Sequence, residues 1–371
     1  MAAHETMDVA VVGAGALGCA IAWRLGQAGL TVVLIEKTRP GAEASSAAAG
    51  ILAAQAEAQA DGPFFRLMRR SEQMYRDFAA ELKDASGVDP GWRPCGALVA
   101  ATSEAEVAEI REHTRWQQEA GLPVELLGER ELREREPALG PRVRGGVLYA
   151  EAGQVDAQRL SQALAGCALK GGGRLRLGEA RRLLLEGGRV AGVEVDGERL
   201  AAQSVVIAAG AWSSLIGGVG LAPSCVRPVR GQLVRFDVQP PPLRGVVFGA
   251  GGYLVPRLEG HLVAGSTMEE AGFDKSVTGA GVAAILERAA LLFPSLGQAP
   301  IGALWAGLRP ACADGLPALG PVPGVPGLHL AVGHLRNGIA LTPVTAEIVA
   351  AGVLGKPMEL ATELAAARLF V

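Results

Sequence analysis

The sequence predicts an α/β protein: a discontinuous domain of parallel βαβ units, with an antiparallel, strand-rich domain inserted into it. Three observations carry this prediction. A buried strand, a glycine-rich turn and a helix open the chain; an apolar run ending in glycine returns at 205–210; and a strand–glycine–helix unit closes it. Strand-like segments with hairpin punctuation lie between, which is the layout of one domain interrupted by another.

Residues 9–12 are a continuous apolar run, as in a strand buried on both faces. Residues 15–28 suit a helix, and T-V-V-L-I at 31–35 is a second buried strand, rich in β-branched side chains. Segments 63–83 and 103–120 are amphipathic helices rich in Glu, Arg and Gln. Asp156 is the expected N-cap of a helix that the glycines at 171–173 end. Residues 181–186 and 189–195 form a hairpin about Gly187 and Gly188, followed by an Asp196-Gly197 turn. Residues 226–267 are strand-like, with turns at 239–242 and 259–260. A helix over 279–292 stops before Pro294, a buried strand spans 328–332, and an apolar helix spans 338–353.

Composition narrows the class. Of 371 residues, 49% are hydrophobic and 20% charged, so burial can offset the entropy of ordering and disorder is excluded. The 51 glycines follow no fixed period, which excludes a collagen-like chain. A net charge of -3 with no basic stripe makes nucleic acid and anionic membrane poor partners. Five cysteines, odd in number and without a C-x-x-C pair, argue against a disulfide framework or a metal site and fit a reducing cytoplasm. The apolar run at 9–22 is short, glycine-broken and preceded by Glu5 and Asp8, so it reads as neither signal peptide nor membrane span.

The opening turn is G-A-G-A-L-G, with Gly13, Gly15 and Gly18 enclosing Ala16 and Leu17. Gly13 permits the tight turn, Gly15 lets backbone approach a pyrophosphate, and Gly18 allows close helix–strand packing. The helix N-terminus then offers unpaired N–H groups and a positive dipole end to the phosphates. Glu36, 23 residues beyond Gly13, stands where an acid would bind both hydroxyls of an adenosine ribose, which argues against a 2′-phosphate. The motif does not by itself separate FAD from NAD.

Two further stretches do. E-A-S-S-A-A-A-G-I-L at 43–52 follows the second strand, and G-L-R-P-A-C-A-D-G-L-P-A-L-G-P at 307–321 leads to G-H-L-R-N-G at 333–338. With V-V-G-A-G-A-L-G, Phe64-Phe65, W-A-G-L-R-P at 305–310 and R-N-G-I at 336–339, they resemble the flavoproteins of the D-amino-acid oxidase and glycine oxidase family. The likeness is strongest to its members in thiamine biosynthesis and covers nearly the whole chain. It implies a Rossmann-like FAD-binding domain over 7–90, 146–220 and 320–371, and an antiparallel substrate domain over 91–145 and 221–319.

The resemblance implies FAD held without a covalent bond, since the surroundings of Cys312 differ from those of the cysteine that tethers flavin in sarcosine oxidases. Beyond the glycine turn and Glu36, the expected cofactor contacts are Lys37, Ala44, Ser45, Ser46, Ala49, Gly50 and Ile51, then Arg181 and Gly210. The small side chains at 45–50 have no bulk to hold a flavin ring away. The C-terminal loop adds His334, Leu335, Arg336, Asn337, Gly338 and Ile339, its amides aimed at the flavin N1–C2=O edge where charge develops on reduction. His334 reads equally as a cofactor contact or as a loop histidine.

An amino-acid oxidase must hold an α-carboxylate so that hydride can leave Cα for the flavin, and arginine clamps a carboxylate in both angle and position. Arg309 matches the family's carboxylate-binding arginine, Tyr253 a tyrosine that assists it, Arg336 a second active-site arginine, and Met268 a pocket wall. The expected reaction is oxidation of glycine, sarcosine or a small D-amino acid to its imine, with dioxygen reduced to peroxide. The expected setting is a cytoplasmic homo-oligomer, with a possible hand-off to thiazole synthesis. Alternatives are a flavin dehydrogenase with another electron acceptor, or a flavin-bearing protein that binds without turnover.

Overall fold

Val9 and Val11 enter one hydrophobic core while Ala10 and Val12 enter another, so the strand Met7–Val12 is buried on both faces. This computed structural model describes residues 6–257 and 259–370. Met7–Val12 lies at the centre of the first sheet, parallel to Val32–Glu36 on one side and to Glu198–Ile207 on the other. Arg174–Leu177 extends the sheet beyond Val32–Glu36, and Leu328–Val332 extends it beyond Glu198–Ile207. The antiparallel strand Ala318–Pro321 closes that side.

The first core is sealed by the helices Ala16–Gln27, Ala157–Lys170, Pro63–Ser86 and Thr342–Val353. Asp156 caps the second of these by accepting from the N–H groups of Gln158 and Arg159, both at 2.9 Å, as its position predicts. The other face of the sheet is covered by the hairpin of Ala180–Glu186 and Arg189–Val195, together with Leu369 and Phe370.

The second sheet is eight-stranded, ordered Ile301–Cys312, Val226–Asp237, His261–Gly265, Gly252–Arg257, Val246–Gly249, Ala97–Ala101, Gly145–Tyr149 and Glu125–Gly128. One face packs on the helix Gly279–Leu292 through Val234, Leu254, Ala264, Ile285 and Leu292, and the other faces the first sheet. Gly145–Tyr149 pairs with Ala97–Ala101 within this sheet, whereas Ala318–Pro321 pairs with Leu328–Val332 in the first.

The last helix begins at Thr342, not at residue 338. Pro343 has no N–H to donate to the Ile339 carbonyl, so an α-helical bond there is impossible. The Tyr75 hydroxyl donates to that carbonyl instead, and the Ser71 hydroxyl donates to the Ala340 carbonyl at 2.6 Å. Both donors come from the helix Pro63–Ser86, which thereby fixes the loop before the last helix. Tyr75→Phe leaves the Ile339 carbonyl with the Thr342 N–H, at 3.1 Å, as its partner and is expected to cost about 0.5–1.5 kcal/mol of stability, read as a lower midpoint in urea unfolding.

Candidate active site

The carboxyl ends of the parallel strands and the inner face of the second sheet enclose one cavity of about 890 Å³. It opens where the chain leaves Met7–Val12 in one direction and Glu198–Ile207 in the other, the switch point at which open α/β sheets bind ligands. Every residue expected to touch cofactor or substrate lines this cavity, except Gly18 and Ser46.

Those two have other work. Gly18 abuts Gly13, and a Cβ there would overlap the Gly13 carbonyl, so its role is helix–strand closeness, as its place in the motif predicts. The Ser46 hydroxyl donates to the Gly41 carbonyl and is spent inside its own turn. Gly13 itself has φ +100°, and a Cβ on it would strike the backbone of Ala208. The turn can therefore pass between two strand ends only without a side chain.

Around this turn the polar groups are oriented but not exhausted. Glu36 Oε2 accepts from Ala14 N–H at 3.0 Å and Oε1 accepts from Thr38 N–H at 3.1 Å, which fixes the carboxylate at the cavity wall. Ser45 Oγ accepts from Ala16 N–H at 2.9 Å, in the first turn of the helix that Gly15 begins. Lys37 pairs with Glu179 at 2.8 Å, and the same acid lies 3.3 Å from Arg181.

The C-terminal loop brings His334 to Ile339 to the cavity, although the expected row of free amides is only partly present. Leu335 N–H donates to the Pro310 carbonyl and Asn337 N–H to the His334 carbonyl, so both are used within the protein. His334 is buried, and desolvation pushes its imidazole down to about 3, so the ring is neutral. Its Nε2 lies 3.1 Å from Thr345 Oγ1, while Nδ1 is buried without a partner in the protein. A ligand in the cavity is the natural partner for that atom.

The second sheet supplies the opposite wall. Tyr253, Gly265, Leu233 and Trp305 form one register row across four strands. One step along, Gly231 faces Gly307, and Arg309 follows on the same face. A Cβ on Gly265 would overlap the Tyr253 ring, and a Cβ on Gly231 would overlap the Arg309 guanidinium. The Tyr253 and Arg309 side chains thus lie over bare backbone. Arg309 Nη1 donates to the Thr267 carbonyl at 3.0 Å, Nη2 donates to Ser266 Oγ at 2.6 Å, and its remaining N–H groups are left for a ligand.

Tyr253 lies beside Ser266 and Arg309, and burial pushes its phenol up, so the hydroxyl stays protonated and can donate. Met268 stands at the outer rim, 56% exposed, with Sδ 3.5 Å from Arg309 Nη1. Trp212 lines the wall and stacks on Phe273 with centroids 5.4 Å apart. Cys312 is buried and does not line the cavity.

The cavity also contains residues that the sequence reading did not single out. Glu57 ends the helical turn Ala54–Glu57, and its Oε2 lies 2.6 Å from Arg336 Nε. Burial pushes this carboxyl up, against the pull of Arg336 and Arg309. Glu72 is pushed up to about 7 by burial, opposed by Arg69 at 3.0 Å. Gly231 and Gly265 did have a signal, since glycine inside a strand pattern marks a close approach of another group. Glu57 had none, because its partner is 279 residues away in sequence.

A glycine turn with a terminal acid at strand ends, opening on a large cavity, is the construction of a dinucleotide-dependent oxidoreductase. Comparison with known proteins makes the class specific: residues 8–351 match the FAD-dependent oxidoreductase (DAO) family, and the chain belongs to that family. It is 39% identical over 348 residues to glycine oxidase of Geobacillus kaustophilus, covering 92% of each chain. It is 37% identical over 350 residues to the bifunctional protein ThiO/ThiG of a Nostoc species, where it covers 93% of this chain and 52% of that protein. The crystal structure of glycine oxidase from Geobacillus kaustophilus superposes with a TM-score of 0.93, at 36% identity and covering 98% and 99% of the two chains.

The cofactor is therefore FAD, and the residues present fit it. The Gly13–Gly18 turn and Glu36 form the dinucleotide cradle, an added Cβ on Gly210 would meet nothing within 4 Å, and His334 Nδ1 lacks a protein partner. No helix among the described residues is long and apolar enough to cross a membrane.

Proposed function

We propose that the protein oxidises glycine, or a comparably small amino acid such as sarcosine or D-alanine, to its imine. The observation that carries this is Arg309. Its guanidinium is held by two neutral acceptors, forms no ion pair among the described residues, and lies beside the Tyr253 hydroxyl. A half-buried guanidinium that pairs with no acid is a site suited to a carboxylate.

In this reading Arg309 takes the substrate carboxylate by its unused N–H groups, and Tyr253 donates a further hydrogen bond to it. Two donors on one rigid sheet fix the direction of Cα, which is the orientation a hydride transfer needs. FAD, when bound, accepts the hydride and returns the electrons to dioxygen as peroxide. Gly13, Gly15, Ala16 and Leu17 would hold its pyrophosphate, Glu36 its ribose, and residues 44, 45, 49–51 and 334–339 the flavin. Leu233 and Phe248 keep water from the reacting end. The first sheet with its helices serves as the cofactor domain and the second as the substrate domain.

The likeness to a ThiO/ThiG protein supports delivery of the imine to thiazole synthesis, and the five free cysteines suit a cytoplasmic setting. We place the enzyme there as a homo-oligomer. The test is anaerobic addition of glycine to the yellow holoenzyme, with the flavin band expected to bleach and peroxide to form when air is admitted. No bleaching and no peroxide with glycine, sarcosine or D-alanine would overturn the proposal.

A further inference from the structure

Two guanidinium groups face the substrate end of the cavity, and their electrostatic states differ. Arg309 is held by Thr267 and Ser266, both neutral, and forms no ion pair among the described residues. Arg336 is already matched, with its Nε 2.6 Å from Glu57 Oε2. The Glu57 side chain is only 16% exposed, whereas that of Arg336 is 51% exposed. Glu57 Oε2 makes no well-aligned hydrogen bond, so the ion pair is what offsets the desolvation of that carboxylate. Glu57, Arg336, Arg309 and Tyr253 all line this one cavity. The other buried acid on the wall, Glu72, is matched by Arg69 and adds no unpaired charge.

Two guanidinium charges set against one carboxylate leave a single net positive charge, which one substrate carboxylate cancels. A second anionic group on the substrate would meet the Glu57 carboxylate rather than a free arginine. We propose, on the reading of Arg309 as carboxylate clamp, that Glu57 is a specificity-determining residue: by occupying Arg336 it restricts the pocket to substrates bearing one anionic group. It is a repulsive element, which is how a site rejects a ligand that shares the recognised part of the correct one. Glu57→Gln removes the repulsion and releases Arg336, whose exposed side chain is free to turn toward a second carboxylate.

The test uses the FAD holoenzyme and two unreactive anions, acetate and malonate, with dissociation constants read from the perturbation of the flavin spectrum. Wild type is expected to favour acetate. E57Q is expected to shift the malonate-to-acetate preference toward malonate by about tenfold or more, and E57Q/R336Q to lose that shift. E57D keeps the charge and is expected to keep the wild-type preference. R336Q alone leaves Glu57 unmatched beside Arg309 and is expected to weaken acetate binding, with E57Q/R336Q restoring it.

An unchanged preference in E57Q, or a shift that persists in E57Q/R336Q, overturns the proposal. Should E57Q fail to fold, R336Q decides alone, and acetate binding unaffected by it overturns the proposal equally. Turnover provides the second readout: E57Q is expected to lower KM for iminodiacetate relative to sarcosine, with kcat changing little between the two. Failure of the underlying reading looks different. Acetate binding indifferent to R309A removes the clamp, and acetate binding without oxidation of any amine removes the oxidase, while the anion preference still reports on Glu57.

Discussion

Arg309→Ala is expected to lower kcat/KM for glycine by on the order of 2–5 kcal/mol, expressed chiefly as a raised KM, because a substrate carboxylate then enters a desolvated wall without its cation. The flavin content should remain that of the wild type, since the Arg309 guanidinium is tied to Ser266 and Thr267 on the second sheet and not to the dinucleotide turn. Arg309→Lys should recover only part of the loss. An ammonium cannot donate to the Thr267 carbonyl, to Ser266 Oγ and bidentately to a carboxylate from one plane. Steady-state kinetics beside a flavin absorbance ratio decide the matter, and a KM unchanged in the alanine variant would remove Arg309 from the site.

Gly231→Val is expected to produce nearly the same defect without touching any charged group. The guanidinium of Arg309 lies on the backbone of Gly231, where any Cβ would overlap it, so a branched side chain must push it off Ser266 and Thr267. Gly231 is paired with Gly307 inside a long strand, a position that valine otherwise favours, so the sheet should persist. We expect a folded, yellow protein with kcat/KM for glycine reduced by about 2–4 kcal/mol and near-normal thermal stability. A variant with full activity would show that Arg309 does not need this seat.

These two predictions differ in how visible they are before folding. Arg309 stands in W-A-G-L-R-P and Tyr253 in G-G-Y-L-V-P-R, and both motifs resemble those of a known family, so the residues are legible as candidates. The dinucleotide turn is more legible still. Strand, three glycines, helix and terminal acid all fall within residues 7–36, and their geometry follows from local rules of backbone and helix. The helix Gly279–Leu292 and the strand Leu328–Val332 likewise match their expected bounds, because Pro294 ends the one and continuous burial defines the other.

Long-range pairing is less legible. The strand Ile301–Cys312 shows no simple alternation, since its first half is largely exposed and its second half is buried and carries the site. The loop before the last helix is held by two hydroxyls from residues 71 and 75, more than 260 positions earlier. Ser46 resembles Ser45 in sequence, yet the first points into its own turn and the second caps the helix that opens the cavity.

By itself the sequence determined the fold class and the dinucleotide turn, because these depend on short segments with their own periodicity and backbone constraints, and it marked Arg309 and Tyr253 as candidates through the resemblance of their motifs to those of a known family. Tertiary structure alone decided how charge is distributed within the pocket. Arg309 is unmatched and Arg336 is matched only because folding brings Glu57 to one of them, and electrostatic pairing depends on distance in space, not on separation along the chain.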